Sequence, residues 1–66
     1  MKIFVNEIQN GTSTTYSFDT LAEAQAKYYY ILSFAAASDV ERHGAIMYTG
    51  EGQMLESKVF THNVNA

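Results

Sequence analysis

The residues of this 66-residue chain best suited to acid–base or metal chemistry are two histidines, His43 in "SDVERHG" and His62 in "FTHNVNA". An imidazole changes charge near neutral pH and ligates metals through either ring nitrogen. If the segments around them meet, they can pair with Asp39 or Glu41 to form a small metal or acid–base site. The plainer role for each is a surface or capping histidine. His43 follows Arg42 where a helix should finish, and positive charge there is stabilising without any chemistry. No nucleophile accompanies them: there is no cysteine, the serines fall at alternating strand positions or within a helix, and none sits in a G-x-S-x-G turn. "GEGQ" contains G-x-G, but between two short strands it lacks the following helix whose amides would hold phosphate, so it reads as a turn. Seven carboxylates are spread along the chain with no pairing that spacing selects. No catalytic residue, metal ligand set or cofactor is expected, and the chain reads as non-enzymatic.

The elements that must position these groups belong to one domain, because 66 residues cannot build two independent cores. At this size a single core barely offsets conformational entropy, and disulfides, a metal or self-association commonly assist. Without cysteine, self-association is the leading device. The composition is that of a globular protein, 47% hydrophobic and 17% charged, with an aromatic content of 14%. The formal charge of −3 and the scatter of Lys2, Lys27, Arg42 and Lys58 argue against DNA or RNA as partner, since phosphates require clustered cations. The start "MKIFVNEIQ" breaks its apolar run at Asn6 and Glu7, and no apolar run approaches the roughly 20 residues of a membrane span. An intracellular, cytoplasmic protein with no membrane partner is expected.

"KIFVNEI" is rich in β-formers, and Asn10-Gly11 favours the type I′ turn of a hairpin. "TSTTYSF" then alternates, with Thr14, Tyr16 and Phe18 on one side. At Thr20 the period changes: Thr20 and Glu23 have capping-box spacing, so a helix begins near Leu21 and runs to Ala37 or Ser38. "SDVERHG" reads as the helix exit with Gly44 as a positive-φ stop, "AIMYT" as a short strand and "GEG" as a turn. In "QMLESKVFTH", alternation sets Leu55 and Val59 against Met54, Glu56, Lys58 and Phe60. The order ββαββ predicts an α+β fold: an antiparallel four-stranded sheet with one helix on one face, spanning residues 1–62, with a frayed tail at 63–66.

The helix carries two apolar faces. Ala24, Tyr28, Ile31, Leu32 and Ala35 form the stripe that should lie on the sheet. Opposite them stand Ala26, Tyr30, Ser33, Phe34 and Ala37, with only Glu23 and Lys27 charged. These are expected to form a homo-oligomer interface, most simply a dimer, with small residues allowing close approach and the aromatic rings filling the gaps. Tyr29 should lie at the flank. Tyr29, Arg42, His43, Lys58 and His62 are the residues expected to contact a ligand or partner.

The run "AKYYYILSFAAASDVERHGAIMYTGEG", followed by "FTH", resembles a group of very short proteins encoded in phages and prophages of gut and other Gram-positive bacteria. Their pattern is a K-Y-Y/H-x-I/V-L segment, A-A-x-S, a histidine, A-I/V-M, a Gly-containing turn and a late Tyr/Phe-x-His. The matching positions here are Lys27, Tyr28, Tyr29, Ile31, Leu32, Ala35, Ala36, Ser38, His43, Ala45, Ile46, Met47, Gly52, Phe60 and His62. The second half of the chain is covered well and the first hairpin loosely. Gly44-Ala45 after the histidine, and Gly50-Glu51-Gly52 where two acidic residues often precede the glycine, depart from the pattern. The group has no assigned catalytic residues, so the resemblance implies a genetic setting. In that setting the expected function is an oligomeric accessory protein in the host cytoplasm. It would antagonise antiviral defence by sequestering a nucleotide-like signal or by masking a host protein, the alternative being a minor virion or assembly factor.

Overall fold

A computed structural model of the chain describes residues 2–62; the tail expected to fray, residues 63–66, lies outside them. The expected elements form in order: β1 (Ile3–Gln9), β2 (Thr12–Phe18), α1 (Leu21–Ala37), β3 (Arg42–Thr49) and β4 (Met54–Thr61). The strands make one antiparallel sheet in the order β2-β1-β3-β4. Each hairpin therefore supplies one central strand and one edge, and α1 carries the chain across to set β3 beside β1. No helix among the described residues is long and apolar enough to cross a membrane.

Thr20 caps α1 as its spacing predicts. The Glu23 N–H donates to the Thr20 hydroxyl oxygen at 3.2 Å, and that hydroxyl donates to Glu23 Oε1 at 2.9 Å. At the other end Ser38, extended at φ −75° and ψ 152°, closes the helix with its N–H on the Ala35 carbonyl. Ala24, Tyr28, Ile31 and Ala35 are buried, with Leu32 packed at the margin. Ala24, Tyr28 and Ile31 form one cluster with Ile3 and Val5 of β1 and Ala45 and Met47 of β3, and Leu32 packs against it. Fully burying a side chain such as Ile31 contributes about 1.5–3 kcal/mol. On the β2 side, Lys27 Nζ stands 4.2 Å from the Tyr16 ring centroid, a cation–π contact that ties helix to sheet edge.

Three local expectations are corrected. Gly44 is no helix stop: it lies within β3, and Gly52 is the described glycine with positive φ, at 91°. Gly44 is required by close approach, because a Cβ there would collide with the Lys58 carbonyl oxygen and Val59 Cα of β4. The Asn10-Gly11 turn takes positive φ at Asn10 alone, 55°, so it is not type I′. It is tied to β3 instead: Asn10 N–H donates to the Arg42 carbonyl at 2.7 Å and Asn10 Oδ1 accepts from the Arg42 N–H at 3.0 Å. Met54 leaves the Glu56 side expected from strict alternation. A bulge skips Leu55, so that Tyr48 pairs with Met54 while Met47 pairs with Glu56.

The registers also sort the sheet's two faces. Ile3, Val5, Ala45 and Met47 face α1, while Phe4, Ile8, Ile46, Tyr48 and Val59 point the other way and are half-buried by one another. Phe4 and Tyr48 stack there, with centroids 5.5 Å apart and planes at 24°.

Gly44→Ala is expected to cost about 1–3 kcal/mol, because the colliding atoms are backbone and β4 must move. Urea denaturation measures this, and an unchanged midpoint would contradict the close approach.

Candidate functional site

The β1–β3 register sets Gln9 opposite His43 and Glu7 opposite Ala45, which brings the His43 ring onto the Glu7 carboxylate. His43 Nε2 lies 2.9 Å from Glu7 Oε2, and Gln9 Nε2 donates to the same oxygen at 3.1 Å. The partner expected from sequence, Asp39 or Glu41, is replaced by a residue 36 positions away. Burial is the largest single influence on Glu7 and opposes its ionisation. Hydrogen bonds from His43 and Gln9, with the charges of His43 and Lys27, outweigh it and hold the Glu7 pKa below the ordinary carboxylate value. An ionised Glu7 can only accept, so His43 donates from Nε2 and its Nδ1 takes no part in the bond. That Nδ1 is buried without a hydrogen-bond partner, and the residue is only 5% exposed. That nitrogen is thus shielded from any substrate, and the pair pins β1 to β3.

His62 takes the capping role. Its Nε2 donates to the Ala35 carbonyl at 2.8 Å, in the last turn of α1, adding a second donor to the acceptor that Ser38 N–H already meets. Its backbone N–H donates to the Glu41 carbonyl at 2.7 Å, and its ring stacks on Phe60. The other three expected contact residues are dispersed. Tyr29, at the flank as predicted, donates its hydroxyl to Glu56 at 2.9 Å, which together with partial desolvation holds its pKa above the ordinary phenol value. Lys58 Nζ stands 5.2 Å from the Phe60 centroid, and Arg42 is exposed at the start of β3. The five do not converge on one site. Among the described residues no group of three or more His, Asp or Glu is placed to hold a metal ion.

Sequence reasoning missed a polar hollow of about 300 Å³ between β1, β2 and the segment after α1, lined by Glu7, Gln9, Asn10, Thr12, Thr14 and Val40. Its signal was present in the alternation: Glu7 and Gln9 continue the core-facing side of β1 beyond the reach of the apolar stripe, opposite Thr14 and Thr12. Glu7 is its one charged side chain, so it repels an anion.

The residues assigned to an interface do come together. Ala26, Tyr30, Ser33, Phe34 and Ala37 are all exposed on the outer face of α1, with Tyr30 and Phe34 each 57% exposed. The two rings meet edge to face at 5.0 Å, and Ser33 donates its hydroxyl to the Tyr30 carbonyl. Lys27 Nζ lies 5.4 Å from the Tyr30 centroid, bounding the patch with a cation. No family model matches the sequence, and no curated protein or solved structure matches it either.

Because the Glu7 pKa is depressed in the folded chain, its stabilising contribution is complete above the unfolded value near 4.5 and is lost as pH falls through the folded value. Wild type should therefore lose urea resistance more steeply than Glu7→Gln as pH is lowered below that unfolded value. Parallel acid limbs for the two proteins would contradict the ionised pair.

Proposed function

We propose that the chain is a non-catalytic binding protein that covers a surface of another protein with the outer face of α1. The observation that carries this reading is the Tyr30–Phe34 pair, two half-exposed rings set among Ala26, Ser33 and Ala37 on the face opposite the core. Aromatic anchors are enriched at the centres of interfaces, and small neighbours let a partner approach closely. Burying both rings contributes about 3–6 kcal/mol by area before association costs. Self-association by this same face, expected from the sequence, draws on the same chemistry. Each histidine has its Nε2 engaged within the chain, which supports structural roles for both.

Protein masking is favoured over sequestration of a nucleotide-like signal. Holding phosphate takes convergent cations, whereas Arg42 and Lys58 stand apart and the hollow presents Glu7. The partner reading as a host antiviral defence protein draws on the likeness to short phage and prophage proteins from Lys27 to His62. The alternative, a minor virion or assembly factor, is favoured by one observation: apolar side chains lie uncovered on two opposite sides of the molecule, as in a subunit set between neighbours.

Expressing the chain in a host with a defined antiviral system should restore plaques of a phage that the system blocks. Tyr30→Lys, which should keep the wild-type circular dichroism and Tm, should abolish the rescue. Recovery of the chain in purified virions without any rescue would support the assembly role. Thermal stabilisation by nucleotide messengers would overturn the protein partner, and turnover lost on His43→Ala or His62→Ala would overturn the non-catalytic reading.

A further inference from the structure

A four-stranded sheet with a helix on one side leaves its second face to water unless something covers it. Here that face is apolar at its centre, where Phe4 and Ile8 of β1 stand beside Ile46 and Tyr48 of β3, extended by Val59 and Met54 of β4. The remaining positions on it are Asn, Ser, Thr or Gly. None of its interior positions is charged, in a chain with four cations and seven carboxylates. Glu7, Glu56 and Lys58 alternate to the helix side, while the Lys2–Asp19 ion pair and Arg42 stand at the strand ends. A solvated sheet face ordinarily alternates in charged and polar residues, and depletion of charge is the compositional mark of an interface core.

We propose that this face packs against the same face of a second copy of the chain, forming a two-fold dimer with the two sheets inside and the two helices outside. The surface suits a copy in three respects. Across a two-fold axis a face meets itself, and this face can do so without setting like charges together, although each chain carries a net charge of −3. Its extent is adequate. Four strands about 4.8 Å apart and seven residues of about 3.3 Å give a footprint of roughly 440 Å² per copy, so two copies approach the ~1,000 Å² that a specific interface needs before side-chain relief is counted. The need is also present, because the buried apolar set on the helix side is only Ile3, Val5, Ala24, Tyr28, Ile31, Ala35, Ala45 and Met47. Sheets packed face to face at about 10 Å would give β1 and β3 a core on both sides. This moves the dimer contact from the outer helix face, where the sequence suggested it, to the sheet. It is independent of the proposed function, which uses the opposite side of the molecule.

Sedimentation equilibrium of the full chain at micromolar concentration should give twice the 7.4 kDa chain mass for wild type and for Tyr30→Lys, and the single-chain mass for Ile46→Lys. A monomeric wild type would overturn the proposal, as would a dimer that Tyr30→Lys splits and Ile46→Lys leaves whole. If Ile46→Lys loses its circular dichroism signal, conservative cysteines decide instead, since the chain has no thiol of its own. Alkylation of Ser57→Cys, on the open face of β4, should slow as protein concentration rises, whereas that of Ser33→Cys on the helix should not. Equal, concentration-independent labelling of both would overturn the proposal.

Discussion

One helix can shield only one face of a four-stranded sheet, and the rest of this structure follows from how that single contact is made. At about 1.5 Å per residue, the 17 residues of α1 span roughly 25 Å, matching strands of seven or eight residues at about 3.3 Å each. The helix therefore runs the length of the sheet, with Tyr28 and Ile31 packed in one core with Val5 and Met47. Ala24 and Ala35 let the helix backbone settle close, and Tyr28, 2% exposed, fills the space between. What this contact leaves uncovered defines everything else: the polar corner at Glu7, the outer side of α1 and the far face of the sheet.

The polar groups at the edge of this core are spent on holding elements in place. Glu7 and His43 meet where the apolar stripe runs out, and their hydrogen bond joins the two central strands without closing on a third group that could do chemistry. His62 returns from the end of β4 to the Ala35 carbonyl, fastening the last strand to the helix terminus. Tyr29 does the same along the flank by reaching Glu56. The uncommitted chemistry is apolar, which favours a protein that acts by contact.

Much of the fold was legible from periodicity. The Thr20–Glu23 cap, the helix limits, the core stripe and the two hairpins all follow from local rules, because each depends on residues within one turn or two paired strands. Features that depend on how distant segments meet were not legible. Gly44 looked like a helix stop because a glycine after a helix usually is one, and only the nearness of β4 shows why it sits inside a strand. The bulge at Leu55 shifted Met54 to the other side, which alternation alone cannot reveal. The Glu7–His43 pair spans 36 residues and exists only through the β1–β3 register. "IFV" and "AIMY" are apolar at successive positions, so their pattern announced burial on one face without disclosing that the other face was apolar as well.

The proposed dimer is built on the uncovered sheet face and not on the outer side of α1. Isotope-filtered nuclear Overhauser spectroscopy on an equal mixture of labelled and unlabelled chain tests it directly, because only contacts between copies give signals. Cross-peaks should link Phe4, Ile46, Tyr48 and Val59 of one copy with the same set in the other, and none should arise from Tyr30 or Phe34. Cross-peaks confined to Tyr30 and Phe34, or none at all at concentrations where the chain sediments as a dimer, would contradict it.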